Sequence, residues 1–361
     1  MKPVRLLLVT DAIGGVWVYS LELANALRPF GVDAVLLVVG PSPTADQLEE
    51  AAEFRLIDSG LPLEWLDTSP CEVRRAAQAI AAFADREGAD IVQVSSAALL
   101  ADVAFAQPTV AAQHSCVASW WAATKGTRLP PELAWRRELV EAGLRRASCV
   151  VAPSTAFAAE TSRQYDLPVL TVHNGRRTAA NAHIPQGDFV LTASRLWDEG
   201  KNVATLDRAA ADLDVPFQAA GAAIGPNGAK VDLSYVQLLG ELSPARLRGL
   251  LAARPVYASA AVYEPFGLSV LEAAQAGCAL VLSDIPTHRE IWGDAATFVP
   301  PRDPGAFATA IRSIMSNPNE RHRFGNLACS RAQLYTPERM ASGMADIYAR
   351  LAAPAEMAGA L

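Results

Sequence analysis

Glu264 and Glu272 stand eight positions apart in YEPFGLSVLE, a stretch that reads as a loop feeding a helix. Backbone N–H groups at Phe266, Gly267 and Leu268 then point out of the helix start, where the positive end of the helix dipole can receive an anion. Glu272 falls in the second turn, placed to accept hydrogen bonds from a ribose. Glu264 precedes the loop, placed to face whatever a bound phosphate carries. Two cations fit the same ligand. Arg195 leaves a strand end in LTASRLWDEGKN, and Lys201 follows six residues later near a helix start. At the carboxyl ends of parallel strands such a pair suits a diphosphate. A third element is the turn AIGG, where Gly14 and Gly15 let the backbone approach a ligand ahead of another free helix N-terminus. Each of these has an ordinary structural reading when taken alone: an incidental carboxylate, solvated surface cations, a tight turn. Their occurrence together favours a phosphate-bearing ligand.

Two other ligand classes fit less well. A dinucleotide site asks for G-x-G-x-x-G and an acidic residue closing the second strand. Here the turn is DAIGGVW and the second strand closes in Val38-Val39-Gly40, so NAD is a poor match. Asp212-Leu213-Asp214 spells a D-x-D metal motif, but it sits in a polar turn between a helix and a strand, and no metal site is expected. The cationic pair makes a divalent ion unnecessary.

The elements that must position these residues alternate along the whole chain. VRLLLV is a continuous apolar run, as in a strand buried on both faces. The glycine turn and a helix with Val16, Leu23 and Leu27 at helical spacing follow, stopped by Pro29 and Gly31, and AVLLVV gives the next strand. This strand–turn–helix–strand unit opens a parallel α/β sheet. Strand readings continue through DIVQVSS, PTVAAQH and SCVVAPS. The polar stretch HNGRRTAANAHIPQGD marks a boundary, after which FVLTASR, VPFQAAG, VQLLGEL, PVYASA and CALVLSD read as strands with helices between them. SPARLRGLLAAR is a helix capped by Ser243 with Pro244 in its first turn. Thr336 and Pro337 open a last helix.

The chain has 361 residues, long enough for two domains. With 51% apolar and 19% charged residues it can bury substantial cores. A net charge of −7 argues against bulk attraction to nucleic acid, and none is expected as a partner. The five cysteines, Cys71, Cys116, Cys149, Cys278 and Cys329, form no C-x-x-C and read as small buried hydrophobes of a reducing compartment. The first apolar run is too short for a signal peptide, and no run approaches a membrane span, so the cytoplasm is the expected location.

At these residues the chain resembles the retaining, GT-B-fold glycosyltransferases of family 4. YEPFGLSVLE looks like their E-x7-E signature and SRLWDEGK like their R-x5-K diphosphate element. GGVWVYSLELANAL is similar to the first glycine loop and helix, and VVAPST and VHNGRR match the interdomain strand and Asn-Gly stretch. SDIPTHREIWGDAATFVPPRDPGAFATAI resembles the closing pattern of the donor domain. The resemblance implies two facing Rossmann-like domains with a cleft between them. Residues 1–178 would form the acceptor-side domain, with the last helix, 336–354, packing back on it, and 179–335 the nucleotide-sugar domain. It implies sugar transfer with retention from a nucleotide-diphosphate sugar, a UDP- or GDP-sugar first, to an acceptor hydroxyl. No cofactor or metal is required.

Carried over by position, Gly14 and Gly15 approach the donor phosphates and Arg195 and Lys201 neutralise the leaving diphosphate. Phe266, Gly267 and Leu268 supply backbone donors, Glu272 holds the ribose, and Glu264 lies near the transferred sugar. His114, in AAQHSCVASWW, matches a histidine beside that sugar, although a lone histidine after a strand is otherwise more often structural. Attack within an ion pair on one face of the sugar needs no protein nucleophile, so the glutamates are not a hydrolytic acid/base pair. Ser194 stands where the family often has glycine, and Gly31-Val32 replaces its common Gly-His. The same residues leave open an epimerase or phosphorylase of this fold, or a non-catalytic nucleotide-sugar or glycan-binding protein.

The acceptor, whether glycan, lipid-linked or small molecule, is not named by any motif. Residues 120–146 carry three of the seven tryptophans and six basic against three acidic residues. The bland reading is a solvated helix with Trp anchors. The others are an acceptor wall and peripheral contact with the inner face of a membrane.

Overall fold

The computed structural model describes residues 3–66, 69–178 and 184–352, which form two compact α/β units. The first unit runs to residue 175, apart from 123–125, and includes the last helix, Pro337–Ala352. The second holds 123–125 and 176–336. The expected boundary at 178/179 abuts residues 179–183, outside the described ones, as does the expected helix end beyond Ala352.

In the first unit the described strands are β1 (Val4–Asp11), β2 (Val32–Val39), β3 (Arg55–Asp58), β4 (Ile91–Val94), β5 (Thr109–Ala112), β6 (Cys149–Ala152) and β7 (Leu170–Thr171). They form one parallel sheet in the order β3-β2-β1-β4-β5-β6-β7. The order reverses between β1 and β4, the switch point at which open α/β sheets leave a crevice beyond their carboxyl ends. The apolar run of β1 is explained by burial on both faces. Leu7 and Val9 enter one core, Leu6 and Leu8 the other, with the two-residue alternation of a strand.

The second of these cores is closed by two helices. Trp17, Tyr19, Leu23 and Leu27 of Gly15–Leu27 meet Met340, Ala341, Met344, Ile347 and Tyr348 of Pro337–Ala352. Those last-helix positions fall on one helical stripe, which is why the segment packs as an amphipathic helix. Val16, expected in the apolar stripe of the first helix, is only half-buried, and Trp17 takes the inward place. Of the cysteines only Cys116 and Cys278 are buried; Cys149 and Cys329 are half-buried and Cys71 is exposed on Pro70–Glu87, so three depart from the buried reading, and all five thiols are free.

In the second unit β8 (Val190–Ala193), β9 (Phe217–Ala220), β10 (Gln237–Gly240), β11 (Val256–Ser259), β12 (Ala279–Ser283) and β13 (Thr297–Val299) run parallel in the order β10-β9-β8-β11-β12-β13. Its switch point lies between β8 and β11. Ser243 caps Pro244–Ala252 by accepting from the Arg246 N–H, as its sequence implies.

Candidate functional site

The chemistry-bearing residues of the second unit leave the two strands that flank its switch point. Beyond β8 comes Arg195, then Asp198, whose Oδ1 accepts from the Gly200 N–H and so tightens the single turn Glu199–Lys201. Beyond β11 comes the loop carrying Glu264, whose neighbours Val262 and Tyr263 both donate backbone N–H groups to the Gly200 carbonyl. Asn202 fastens the two loops further. Its backbone is left-handed, with φ 50°, a conformation that asparagine tolerates better than most residues. Its side-chain amide donates to the carbonyls of Ala260 and Pro301 at 3.0 and 2.7 Å.

This scaffold brings Lys201 and Glu264 together. Lys201 Nζ donates to Glu264 Oε2 at 2.7 Å, with both side chains mostly buried. Arg195 instead donates to Asp198 at 2.8 Å and lies over the Trp197 ring. Glu272, one turn into the helix Leu268–Gln275, is engaged by Arg176, Nε to Oε1 at 2.7 Å, rather than by either of the other cations. Gln275, on the same helix, donates to the Arg176 carbonyl at 2.7 Å, fixing the backbone at that arginine.

The helix start is set by Gly267, with φ 94° and ψ 64°, a conformation that side chains rarely adopt. A Cβ there would lie in van der Waals contact with Glu264 Cγ at 3.4 Å. Phe266 turns its side chain into the core, 3% exposed and edge-on to Tyr335. Phe266, Gly267 and Leu268 therefore meet the first turn through backbone, with the phenyl ring as anchor. Asp212 and Asp214 lie exposed in the turn before β9, away from this cluster in sequence and element.

His288, which no sequence signal singled out, sits fully buried behind the loop. Its Nδ1 lies 3.0 Å from the Ser283 carbonyl oxygen, an acceptor, so Nδ1 carries the proton and Nε2 is left as an acceptor with no partner among the described residues. Burial pushes its pKa down, against the opposing pull of Glu264, and the ring is neutral. Ser283 Oγ donates to the Ala261 carbonyl at 2.5 Å, so the ring and the Glu264 loop share one support. Asn202, Arg176 and His288 lie inside stretches that the sequence reading quoted, LTASRLWDEGKN, VHNGRR and SDIPTHREIW, but it gave none of the three a role.

In the first unit the predicted residues, Gly14, Gly15 and His114, carry no charge. Gly14 has φ 66° and ψ −133° and opens the helix Gly15–Leu27; the turn before it is held by Asp11, whose carboxylate accepts from the Ile13 N–H. Gly14 and Gly15 are both exposed. His114 follows β5, with its ring edge-on to Tyr19 at 4.3 Å between centroids. Its Nε2 is buried without a partner among the described residues, and burial depresses its pKa to about 4. In the basic stretch after it, Arg136 is drawn to the Glu64 carbonyl and over Trp135, Arg137 and Arg145 flank Glu141, and Arg146 donates to the Val103 carbonyl. Most of that basic charge is thus tied within the unit.

Two family models match the chain. Glycosyltransferase Family 4 covers residues 13–179, and Glycosyl transferases group 1 covers 231–331. The chain belongs to glycosyltransferase family 4. Gly14, Gly15 and His114 fall within the first model and the Glu264–Glu272 stretch within the second, while Arg195 and Lys201 fall in neither and stand on geometry. Solved structures share the GT-B fold of two parallel-sheet domains. Sucrose-phosphate synthase from Thermosynechococcus elongatus superposes with a TM-score of 0.75 at 19% identity, covering 96% of this chain and 99% of that one. Anabaena Alr3699/HepE, solved in complex with UDP-glucose, gives 0.74 at 18%, again covering 96% and 99%. The glycogen synthase of Mycobacterium tuberculosis is 33% identical over 119 residues, 32% of this chain and 29% of that relative. The aligned segment thus spans under a third of the curated relative. No described helix is long and apolar enough to cross a membrane.

Proposed function

We propose that the protein transfers a sugar from a nucleoside-diphosphate sugar to an acceptor hydroxyl with retention at the anomeric carbon. The observation that carries this reading is the Lys201–Glu264 pair at the switch point of the second unit, with Arg195 leaving the neighbouring strand and Glu272 in the helix that follows. Lys201 has three N–H donors and spends one on Glu264, so it can bridge that carboxylate to a phosphate oxygen. Arg195 adds a second cation, and as the glycosidic bond breaks both meet the charge that develops on the leaving diphosphate. Together they supply the positive charge that a divalent ion would otherwise supply, so transfer proceeds without one.

Glu264, held through Lys201, binds hydroxyls of the transferred sugar and stabilises positive charge at its anomeric carbon. Glu272 keeps one oxygen on Arg176 and turns the other to the ribose. The exposed turn at Gly14 and Gly15 receives donor phosphate from the first unit, and the neutral His114 accepts from or donates to the sugar without adding charge. The UDP-glucose complex of Alr3699/HepE supports UDP as the first base to try, with GDP next. The aromatic and basic residues of 120–146 are the first place to look for acceptor or membrane contact. The domain limits follow the described units, with the last helix belonging to the acceptor side.

The experiment is a melting series with UDP, GDP, ADP and dTDP, without and then with Mg²⁺, followed by NMR of the product's anomeric signal. A ligand at about 100 times its Kd stabilises the fold by about 2.7 kcal/mol, a visible shift in melting temperature. Stabilisation by one nucleotide without metal and a product of retained configuration support the reading. Release of free or isomerised sugar without an acceptor would instead identify a hydrolase or epimerase.

A further inference from the structure

Gln93 is a polar residue in the middle of β4, a strand buried along its whole length, and its own exposure is 0%. An amide there is costly unless both its ends are satisfied. Two tyrosines from two helices do this. Tyr348 of the last helix donates its O–H to Gln93 Oε1 at 2.5 Å, and Gln93 Nε2 donates to Tyr19 Oη at 3.1 Å. Tyr19 and Tyr348 are also buried, and burial pushes both phenols well above their ordinary pKa, so they remain neutral O–H groups at any working pH. The chain therefore has one direction, Tyr348 to Gln93 to Tyr19.

The far end of this chain touches the candidate site. The Tyr19 ring meets the His114 ring edge-on, with an interplanar angle of 64°. His114 Nε2 has no hydrogen-bond partner among the described residues, and the Tyr19 ring is the aromatic contact that the imidazole makes there. Tyr19 also lies on the helix that Gly14 opens, one turn in, so holding Tyr19 holds the rotation of that helix and the aim of its free N–H groups.

We propose that Tyr348, Gln93 and Tyr19 are positioning residues for His114, and that through them the seating of the last helix governs the candidate residues of the first unit. The proposal rests on the reading of His114 as a sugar-side residue for its effect on turnover, but not for its effect on the ring. A purely structural network would stabilise the core and leave His114 indifferent to Tyr348, which is not its neighbour in the chain of contacts.

The test uses the full chain labelled with ¹⁵N-histidine, compared as wild type, Tyr348→Phe and Tyr19→Phe. Five histidines give few enough imidazole correlations to assign, with His114→Gln identifying the relevant one. Both tyrosine variants keep the ring and lose only the hydroxyl, so at least one is expected to fold. The expected result is that the His114 ring signals move in each folded variant while the other histidines stay in place. Turnover then falls about tenfold, with KM for the nucleotide sugar little changed, because a misplaced group costs rate rather than donor affinity. A lower melting temperature with unmoved His114 signals overturns the proposal and leaves a structural strut. Moved signals with full turnover uphold the positioning and overturn instead the assignment of His114 to the sugar.

Discussion

In the second unit the residues beside the switch point are charged and already matched to one another: Lys201 to Glu264, Arg195 to Asp198, Arg176 to Glu272. In the first unit the residues predicted to meet the ligand are a glycine turn, held by the carboxylate of Asp11 at the end of β1, and a histidine that burial keeps neutral, the latter resting on a buried tyrosine. Both units are parallel sheets of the same build, so the difference is not one of fold. On the proposed function it is a division of labour that electrostatics explains. A diphosphate brings concentrated negative charge and must meet cations whose own repulsion has been relieved in advance by carboxylates. The proposed sugar-side surface gains nothing from a net charge, and a neutral imidazole can hydrogen-bond without attracting the phosphates away from their cations. Each unit nevertheless places one neutral histidine behind its loops, half-buried His114 in one and fully buried His288 in the other, each with a buried, unpartnered Nε2 among the described residues.

The contrast is broken most severely by emptying the charged side. Lys201→Ala leaves Glu264 a mostly buried carboxylate without its partner and removes a cation from the leaving group. Glu264→Gln removes the charge facing the sugar. Each is expected to lower kcat/KM for transfer about 10²- to 10³-fold, the size of effect seen when one preorganised stabilising group is removed. Circular dichroism should still report folded protein. Full activity in both variants would remove the second unit's cluster from the chemistry.

A smaller effect exposes the neutral side through pH. His114 binds its proton at about pH 4 when folded and near pH 6.5 when unfolded. Between those values the unfolded chain holds the extra proton, so stability rises with pH across that window and is lost as pH falls from 6.5 towards 4. The window is worth up to about 3 kcal/mol at its acid end. His288, also pushed down, contributes with the same sign, so the comparison is between wild type and His114→Gln. Urea unfolding at pH 7 and pH 4.5 should show a smaller acid loss in the variant. An unchanged acid loss would mean that His114 charges as freely when folded as when unfolded, and the two units would no longer differ in the way described.

The third effect separates ribose from phosphate within the charged side. Glu272→Ala is expected to weaken UDP binding about tenfold, or about 1.4 kcal/mol, the worth of a charge-assisted hydrogen bond. Binding of the 2′,3′-dideoxy nucleotide should change much less, because it has no ribose hydroxyls to lose. Calorimetric titration measures both. Equal losses would assign Glu272 to Arg176 and to the backbone there, not to the sugar ring of the nucleotide.

What could be read from the chain divides along the same line. The parallel sheets announced themselves because a strand buried on both faces is an unbroken apolar run, as in VRLLLV and ALVLS. The charged residues of the candidate site could be proposed from the chain because they sit close together in sequence, Arg195 with Lys201 and Glu264 with Glu272, and the structure joins one pair across them, Lys201 with Glu264. Short edge strands such as β3 and β7 were not, since half-exposed RLID and the two-residue Leu170–Thr171 carry little pattern. The roles of Arg176 and Asn202 were hidden for another reason: their partners lie from 58 to 99 residues away, and no local spacing encodes such contacts. Gln93 did leave a trace, a lone amide inside an apolar strand, but its meaning required knowing that two tyrosines 74 and 255 residues distant would meet it.

The smallest predicted effect tests whether the glycine turn is shaped for the ligand or only for the chain. Gly14 is exposed, and its φ of 66° with ψ −133° is a conformation that an L residue reaches at a cost. Gly14→Ala should destabilise the fold by about 1 kcal/mol through backbone strain alone. If the turn also approaches donor phosphate, the methyl group adds a second penalty that appears only with nucleotide present, as a smaller ligand-induced melting shift than wild type shows. Gly31 provides the control, being left-handed with φ 72° and open space around it, at the end of the same helix region and remote from Gly14 in sequence. Gly31→Ala should show the strain and no loss of the ligand-induced shift. Identical behaviour of the two variants would leave Gly14 a turn former and place the first unit's contribution to donor binding elsewhere, with His114 as the remaining candidate on that side.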